Sequence, residues 1–198
     1  MAGDFAVLAF GGRRPAGPLA ALPCFQLDGP ASIDEAVCGR KRVVVLGDDA
    51  ELAAVLTRLM RADLLAVEVA QVRGFGGSRR ALRGSAQRVP LIRDDTGTAL
   101  VGSALWLPPG QAATIHGEAV VDDTVLFDGD AAGVRIEPTT TMPGLRAQVL
   151  DGRRRRWISG RAVQLGTGGA RVVRDGVEGP RVVKRSTFYR HTTGWLRV

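Results

Sequence analysis

An apolar run in "VVVLGDDAEL" (Val43–Leu52) ends at Gly47-Asp48-Asp49, just before a helical pattern begins. Three chemistries suit that arrangement. Asp48 or Asp49 can cap the helix, its carboxylate accepting backbone N–H bonds at the positive end of the dipole. The free N–H groups of a helix start can instead hold a phosphate. An aspartate there can also hold Mg²⁺, which bridges phosphates through one or two carboxylates and several waters. No GxxxxGK[ST] loop occurs anywhere in the chain, and no GxGxxG follows a strand, so the two best-known nucleotide fingerprints are absent.

Other reactive residue types have structural readings that serve as well. Asp94-Asp95, Asp122-Asp123, Asp128 and Asp130 sit beside Gly or Thr, where Asp favours turns. His116 and His191 are the only histidines and show no metal-ligand spacing. "RSTFYRHTTGW" (Arg185–Trp195) interleaves basic and aromatic groups, which suits stacking and anion contact, but strand alternation gives the same pattern. "RRRR" (Arg153–Arg156) before Trp157 reads as an exposed loop that could touch anionic lipid. Cys24 and Cys38 read as buried, reduced thiols.

The elements that must position these residues fall into two halves. Phe5–Phe10 is a short apolar run closed by Gly11-Gly12 and reads as a strand. The segment from Gly12 to Pro30 is punctuated by Pro and Gly and reads mostly as loop. In "ASIDEAV" (Ala31–Val37), Ser32 and Glu35 have capping-box spacing and predict a short helix. Arg42–Gly47 is a continuous β-branched run of the kind buried on both faces of a parallel sheet. Leu52, Val55, Leu56, Leu59 and Met60 then mark one face of a helix, and Leu65–Val72 reads as a strand. Residues 42–72 thus predict a βαβ unit whose first turn lies at the carboxyl edge of the sheet, where α/β proteins bind ligands. From Val89 onward, short apolar runs alternate with Asp- and Gly-rich turns. The expected class is α+β: a small N-terminal α/β part, residues 1–88, followed by a β-rich antiparallel sandwich or barrel-like part, residues 89–198.

A Gly-Asp loop between a strand and a helix, in an α/β part followed by a β-rich part, resembles the diacylglycerol kinase and NAD kinase superfamily. The phosphate loop of that superfamily is Gly-Gly-Asp-Gly-Thr. In "LGDDAEL" (Leu46–Leu52), Gly47 and Asp48 match its second glycine and its aspartate. Leu46 and Asp49 replace its other glycines, and no threonine follows. Where the superfamily has a Gly-Thr-Gly-Asn-Asp loop, this chain has "GFGGSRR" (Gly74–Arg80). "VRDGVEG" (Val173–Gly179) is similar to an Asp-Gly-Glu turn in the second domain of lipid kinases. The resemblance implies Asp48 as the catalytic and Mg²⁺-holding residue. It implies Gly47, Asp49, Gly76, Gly77, Ser78, Arg79 and Arg80 as ligand-binding residues, and ATP or another phosphorylated ligand as cofactor. The departures imply a degenerate phosphate loop: added Cβ atoms crowd the phosphates, and Asp49 repels them. Kinase activity is expected to be weak or absent. The alternative is a non-enzymatic module that binds an anionic surface or a protein partner through the β-rich half.

Composition bounds these readings. The chain has 198 residues and a formal net charge of +7. The charge is uneven, about −2 over residues 1–150 and +9 over residues 151–198. Such a basic segment suits phosphorylated small molecules or anionic lipid. No recognised motif supports nucleic-acid binding. No apolar stretch approaches the roughly 20 residues of a membrane span. The start of the chain has no basic leader, so the expectation is a cytoplasmic protein, with room for an oligomer.

Overall fold

The computed structural model describes residues 4–73, 77–150 and 156–198. In chain order the strands are β1 (Phe5–Phe10), β2 (Cys24–Leu27), β3 (Arg42–Leu46), β4 (Glu68–Gln71), β5 (Gln87–Val89), β6 (Ile92–Asp94), β7 (Ala99–Leu100) and β8 (Ala104–Leu107). There follow β9 (Ile115–Val121), β10 (Thr124–Ala131), β11 (Val134–Pro138), β12 (Leu145–Val149) and β13 (Ile158–Gly160). The last are β14 (Ala162–Arg174), β15 (Val177–Glu178), β16 (Val183–Arg190) and β17 (Trp195–Arg197). The helices are α1 (Pro30–Val37), α2 (Asp49–Arg61) and α3 (Ser78–Arg83), with a 3₁₀ turn at Gly17–Ala21. No helix among the described residues is long and apolar enough to cross a membrane.

The chain forms two compact units, Met1–Val89 with Thr193–Val198, and Pro90–Thr192. In the first, one sheet runs in the order β2-β1-β3-β4-β17-β5. All neighbours are parallel except β17 and β5. The β3–α2–β4 segment is the expected βαβ unit, with β3 fully buried as its β-branched run requires. One face of this sheet packs Val7, Ala9, Val44, Leu46, Ala70 and Val72 against Leu19 of the 3₁₀ turn and Ala81 of α3. Alternation turns Ala6, Leu8, Val43 and Val45, all inaccessible to solvent, to the other face. Helix α2 buries Leu52, Val55, Leu56 and Leu59, the stripe expected from their spacing.

The second unit is antiparallel throughout. Its strands form one connected sheet centred on β14, whose first half pairs with β9 and β16 and whose second half pairs with β8 and β15. An irregularity between Gly166 and Ala170 lets the strand change partners. Trp106, Ile115, Ile136, Leu145 and Phe188 fill the core. The buried Trp106 Nε1 donates to Ser186 Oγ at 3.0 Å.

Several local expectations are corrected. Cys24 and Cys38, expected to be buried, are both exposed. The segment from Gly12 to Pro30, read as loop, contains the 3₁₀ turn and β2. Helix α1 begins at Pro30, not after Ser32. Ser32 is its third residue, and its Oγ accepts from the N–H groups of Asp28 and Gly29, both at 3.3 Å. Proline at the first helical position needs no donor there, which sets the earlier start. "SRRALR" (Ser78–Arg83) is helix α3. The C-terminal strand β17 belongs to the first sheet, not to the β-rich half.

Candidate functional site

Because β1, β3 and β4 are parallel, the segments that follow them leave the same edge of the sheet. There a cavity of about 720 Å³ opens between the 3₁₀ turn and α3. Pro18, Leu19, Leu46 and Val72 make its wall apolar. Arg13, Arg14, Ser78 and Arg79 give it a polar, strongly basic rim. The strand order reverses at β1, with β2 on one side and β3 on the other, a usual place for ligands in open α/β sheets.

Gly47-Asp48-Asp49 lies at this edge, and its groups are engaged within the chain. Asp48 is the N-cap of α2: its Oδ1 accepts the Glu51 N–H at 2.9 Å, and its own N–H donates to Glu51 Oε2 at 2.7 Å. This reciprocal pair is a capping box. It decides between the two possible caps in favour of Asp48, because Asp49 instead ion-pairs with Arg73. Arg13 Nη1 donates to both oxygens of Glu51, at 3.0 and 2.9 Å, and to Phe10 O at 2.9 Å. Gln71 Nε2 ties down the carbonyls of Gly47 and Asp48 at 3.1 and 3.0 Å. A Cβ at Gly47 would meet Glu51 Oε2 at 2.7 Å and Phe10 Cδ2 at 3.3 Å, so this position needs its glycine.

Mg²⁺ is a poor fit to these acids. Asp48 caps the helix and Asp49 holds Arg73, so a metal at either would have to break the cap or that ion pair. Among the described residues no group of three His, Cys, Asp or Glu side chains converges.

Of the residues singled out in the sequence, Ser78 and Arg79 line the cavity. Gly77 is the N-cap of α3, and Arg80 is exposed beyond the cavity rim. Gly76 lies outside the described residues, as do Arg153, Arg154 and Arg155. Sequence reasoning passed over Arg13, Arg14 and Glu51. The signals were present: a glycine pair and two arginines directly after a strand, and an acidic residue three positions after the cap.

In the second unit Asp94, Asp122 and Asp175 are structural, whereas Asp128 and Asp130, expected in a turn, lie within strand β10 and pair with β9. Asp94, inaccessible to solvent, accepts from Thr96 and Thr98 and faces Arg174 Nε at 2.5 Å. Asp122 accepts the N–H groups of Arg161 and Ala162. Asp175, in "VRDGVEG", accepts the N–H groups of Val101, Gly102 and Ser103. His116 pairs at the surface with Asp130 at 3.3 Å. Phe188 is core, Arg93 lies over Tyr189 and Arg146 lies over Trp157.

No family model matches the chain, and neither does any curated protein. Its fold is that of diacylglycerol kinase and NAD kinase structures. It aligns over 98% of its length and 96% of theirs with a provisionally assigned diacylglycerol kinase from Bacillus anthracis str. Sterne, at TM-score 0.77 and 11% identity. An NAD kinase from Archaeoglobus fulgidus, in complex with ATP, aligns at TM-score 0.64 and 11% identity over 98% of this chain and 92% of that one. Yeast NADH kinase complexed with NADH aligns at TM-score 0.59 and 10% identity, over 94% of this chain and 69% of that one. At such identities the likeness is one of fold.

Proposed function

We propose, from the shared kinase fold, that this chain binds a nucleotide or another phosphorylated small molecule in the cavity at the carboxyl edge of its parallel sheet, with weak or no phosphoryl transfer. The observation that carries the reading is the cavity lining, where Arg13, Arg14 and Arg79 stand against Pro18, Leu19, Leu46 and Val72. Guanidinium groups match phosphate geometry with a rigid fork of donors, and an apolar wall suits the body of such a ligand. The solved relatives with bound ATP and NADH support the ligand class.

The weak activity rests on the loop. Phosphoryl transfer depends on positioning and on charge neutralisation by metal ions and cations. Here Leu46 and Asp49 stand where glycines would admit a phosphate, and the Glu51 carboxylate takes the N–H of Asp48. No metal-assisted step belongs to this reading.

The test is calorimetric titration of the full chain with ATP, ADP, NADH and inorganic pyrophosphate, with and without Mg²⁺. Arg79→Ala is expected to weaken binding about tenfold, the order of one charge-assisted hydrogen bond. Absence of binding by all three nucleotides and by inorganic pyrophosphate refutes the ligand class. Robust Mg²⁺-dependent ATP turnover, lost in Asp48→Ala, refutes the weak activity.

A second reading, binding to an anionic surface, is favoured by one feature of the other unit. Val177 and Val182 are 59% and 51% exposed in a stretch that also exposes Arg181, Lys184 and Arg185. Retention on anionic but not neutral liposomes, reduced by Arg181→Glu with Lys184→Glu, would support it. Equal retention on both refutes it.

A further inference from the structure

Arg13 belongs to two places at once. Arg13 lines the cavity, and its side chain grips Glu51 at the head of α2. Glu51 is therefore an anion already resident beside the proposed ligand site. Its carboxylate takes the Asp48 N–H and both contacts from Arg13 Nη1. The arginine is 45% exposed and the glutamate 23%, so water and ligand reach the pair. Exposed ion pairs contribute little to stability, and breaking this one is cheap. A phosphate carries more charge than a carboxylate and offers three acceptor oxygens to a guanidinium.

Arg14 and Arg79 share the rim, and neither forms an ion pair with a described residue. The nearby acids, by contrast, are each held by a donor of the chain. At this edge Arg13, Arg14, Arg73 and Arg79 outnumber Asp48, Asp49 and Glu51, and Asp48 and Asp49 stay engaged within the chain, which suits a phosphate that arrives without its metal.

Resting on the binding reading above, we propose that the cavity takes a phosphate-bearing ligand in its metal-free form, and that Arg13 passes from Glu51 to the phosphate on binding, so that Glu51 is a built-in competitor for the site. Glu51 then sets the threshold of binding. Weakly charged anions leave the Arg13–Glu51 pair intact, and di- or polyanionic phosphates displace it.

The test uses the full chain and two probes, inorganic pyrophosphate and ADP, titrated in EDTA and in Mg²⁺. Glu51→Gln removes the charge but keeps a side chain that serves at the third position of a capping box. Helix content by circular dichroism checks that the cap holds. Glu51→Gln is expected to tighten both probes about two- to fivefold, the worth of one exposed ion pair. That gain is expected to vanish when Arg13→Ala is combined with Glu51→Gln and compared with Arg13→Ala alone. EDTA is expected to leave affinity equal or improved. A gain that persists without Arg13 means that Glu51 acts by plain repulsion, and the hand-over falls. Unchanged affinity in Glu51→Gln, or binding that requires Mg²⁺, also overturns it. If wild type binds and Arg79→Ala weakens it while Glu51→Gln does nothing, only this inference fails. If neither probe binds wild type or Glu51→Gln, the ligand reading fails with it.

Discussion

Asp48 shows how one side chain can be tested for chemistry and for structure separately. Its carboxylate and the Glu51 side chain exchange bonds across the first turn of α2. Asp48→Ala is therefore expected to lower stability by about 1 kcal/mol, the usual loss for an N-cap, whether or not any ligand is present. Asp48→Ser, which keeps a capping oxygen, should recover most of it; urea denaturation of the three proteins decides. A second residue-scale prediction concerns pH. The Arg58 guanidinium, bonded to the Asp34 carboxylate, holds that carboxyl below its ordinary value of 3.8. A lowered carboxyl contributes stability above its unfolded value and loses it as pH falls through the folded value. Wild type should thus lose stability relative to Asp34→Asn below about pH 4, and thermal midpoints at pH 7, 4 and 3 measure it. The sequence showed a cap at Asp48 or Asp49 because capping depends on neighbours a few positions away. It did not show the grip of Arg13 on Glu51, which joins residues 38 positions apart.

At the level of elements, α3 is held in place by an arginine of the sheet face on which it packs. Arg42, only 7% exposed at the start of β3, donates from Nη1 to the carbonyls of Ala81 and Leu82 at 3.0 Å, and from Nη2 to that of Gly84 at 2.9 Å. Its Nε reaches Glu68 Oε2 at 2.6 Å. These bonds satisfy carbonyls that a helix end leaves without partners, and they fix the element that carries Ser78 and Arg79. Arg42→Met is expected to destabilise the chain by about 3 kcal/mol, because Glu68 and three carbonyls lose their donor. Arg42→Met with Glu68→Gln should recover part of that loss, and hydrogen exchange should show the largest loss of protection in α3. Local patterning made β3, α2 and β4 legible: a β-branched run, a helical stripe and a second strand succeed one another. Helix α3 was not legible. Its six residues carry four charges or hydroxyls between glycines, and what makes it a helix is the reach of Arg42 from 39 or more positions away.

For the whole molecule, the decisive feature is that the first unit is completed by the last residues of the chain. Strand β17 pairs parallel with β4 and antiparallel with β5, and among the described residues it is the one strand that joins β5 to the sheet. Trp195 is 8% exposed, and Val198 packs on the core face that carries Leu46 and Val72. The start of β17 is closely fitted: a Cβ on Gly194 would lie 2.2 Å from Val89 O. Sequence alone could not place this strand, since "GWLRV" specifies a short apolar run and not the sheet that receives it. Sheet pairing over such a separation closes a very long loop, which slows folding. The first unit cannot finish its sheet until the second has been synthesised. Deleting residues 193–198 would leave β4 as an open edge and β5 without a strand beside it. An uncovered edge is a template for pairing between molecules. The truncated chain is expected to keep the protection of β14 and β16 in hydrogen exchange, to lose that of β4 and β5, and to aggregate at concentrations where the full chain is monodisperse. Gly194→Ala should produce the same pattern more weakly. Uniform loss of protection across both units would instead mean that they fold as one, and unchanged protection in β4 would mean that β17 only decorates the sheet.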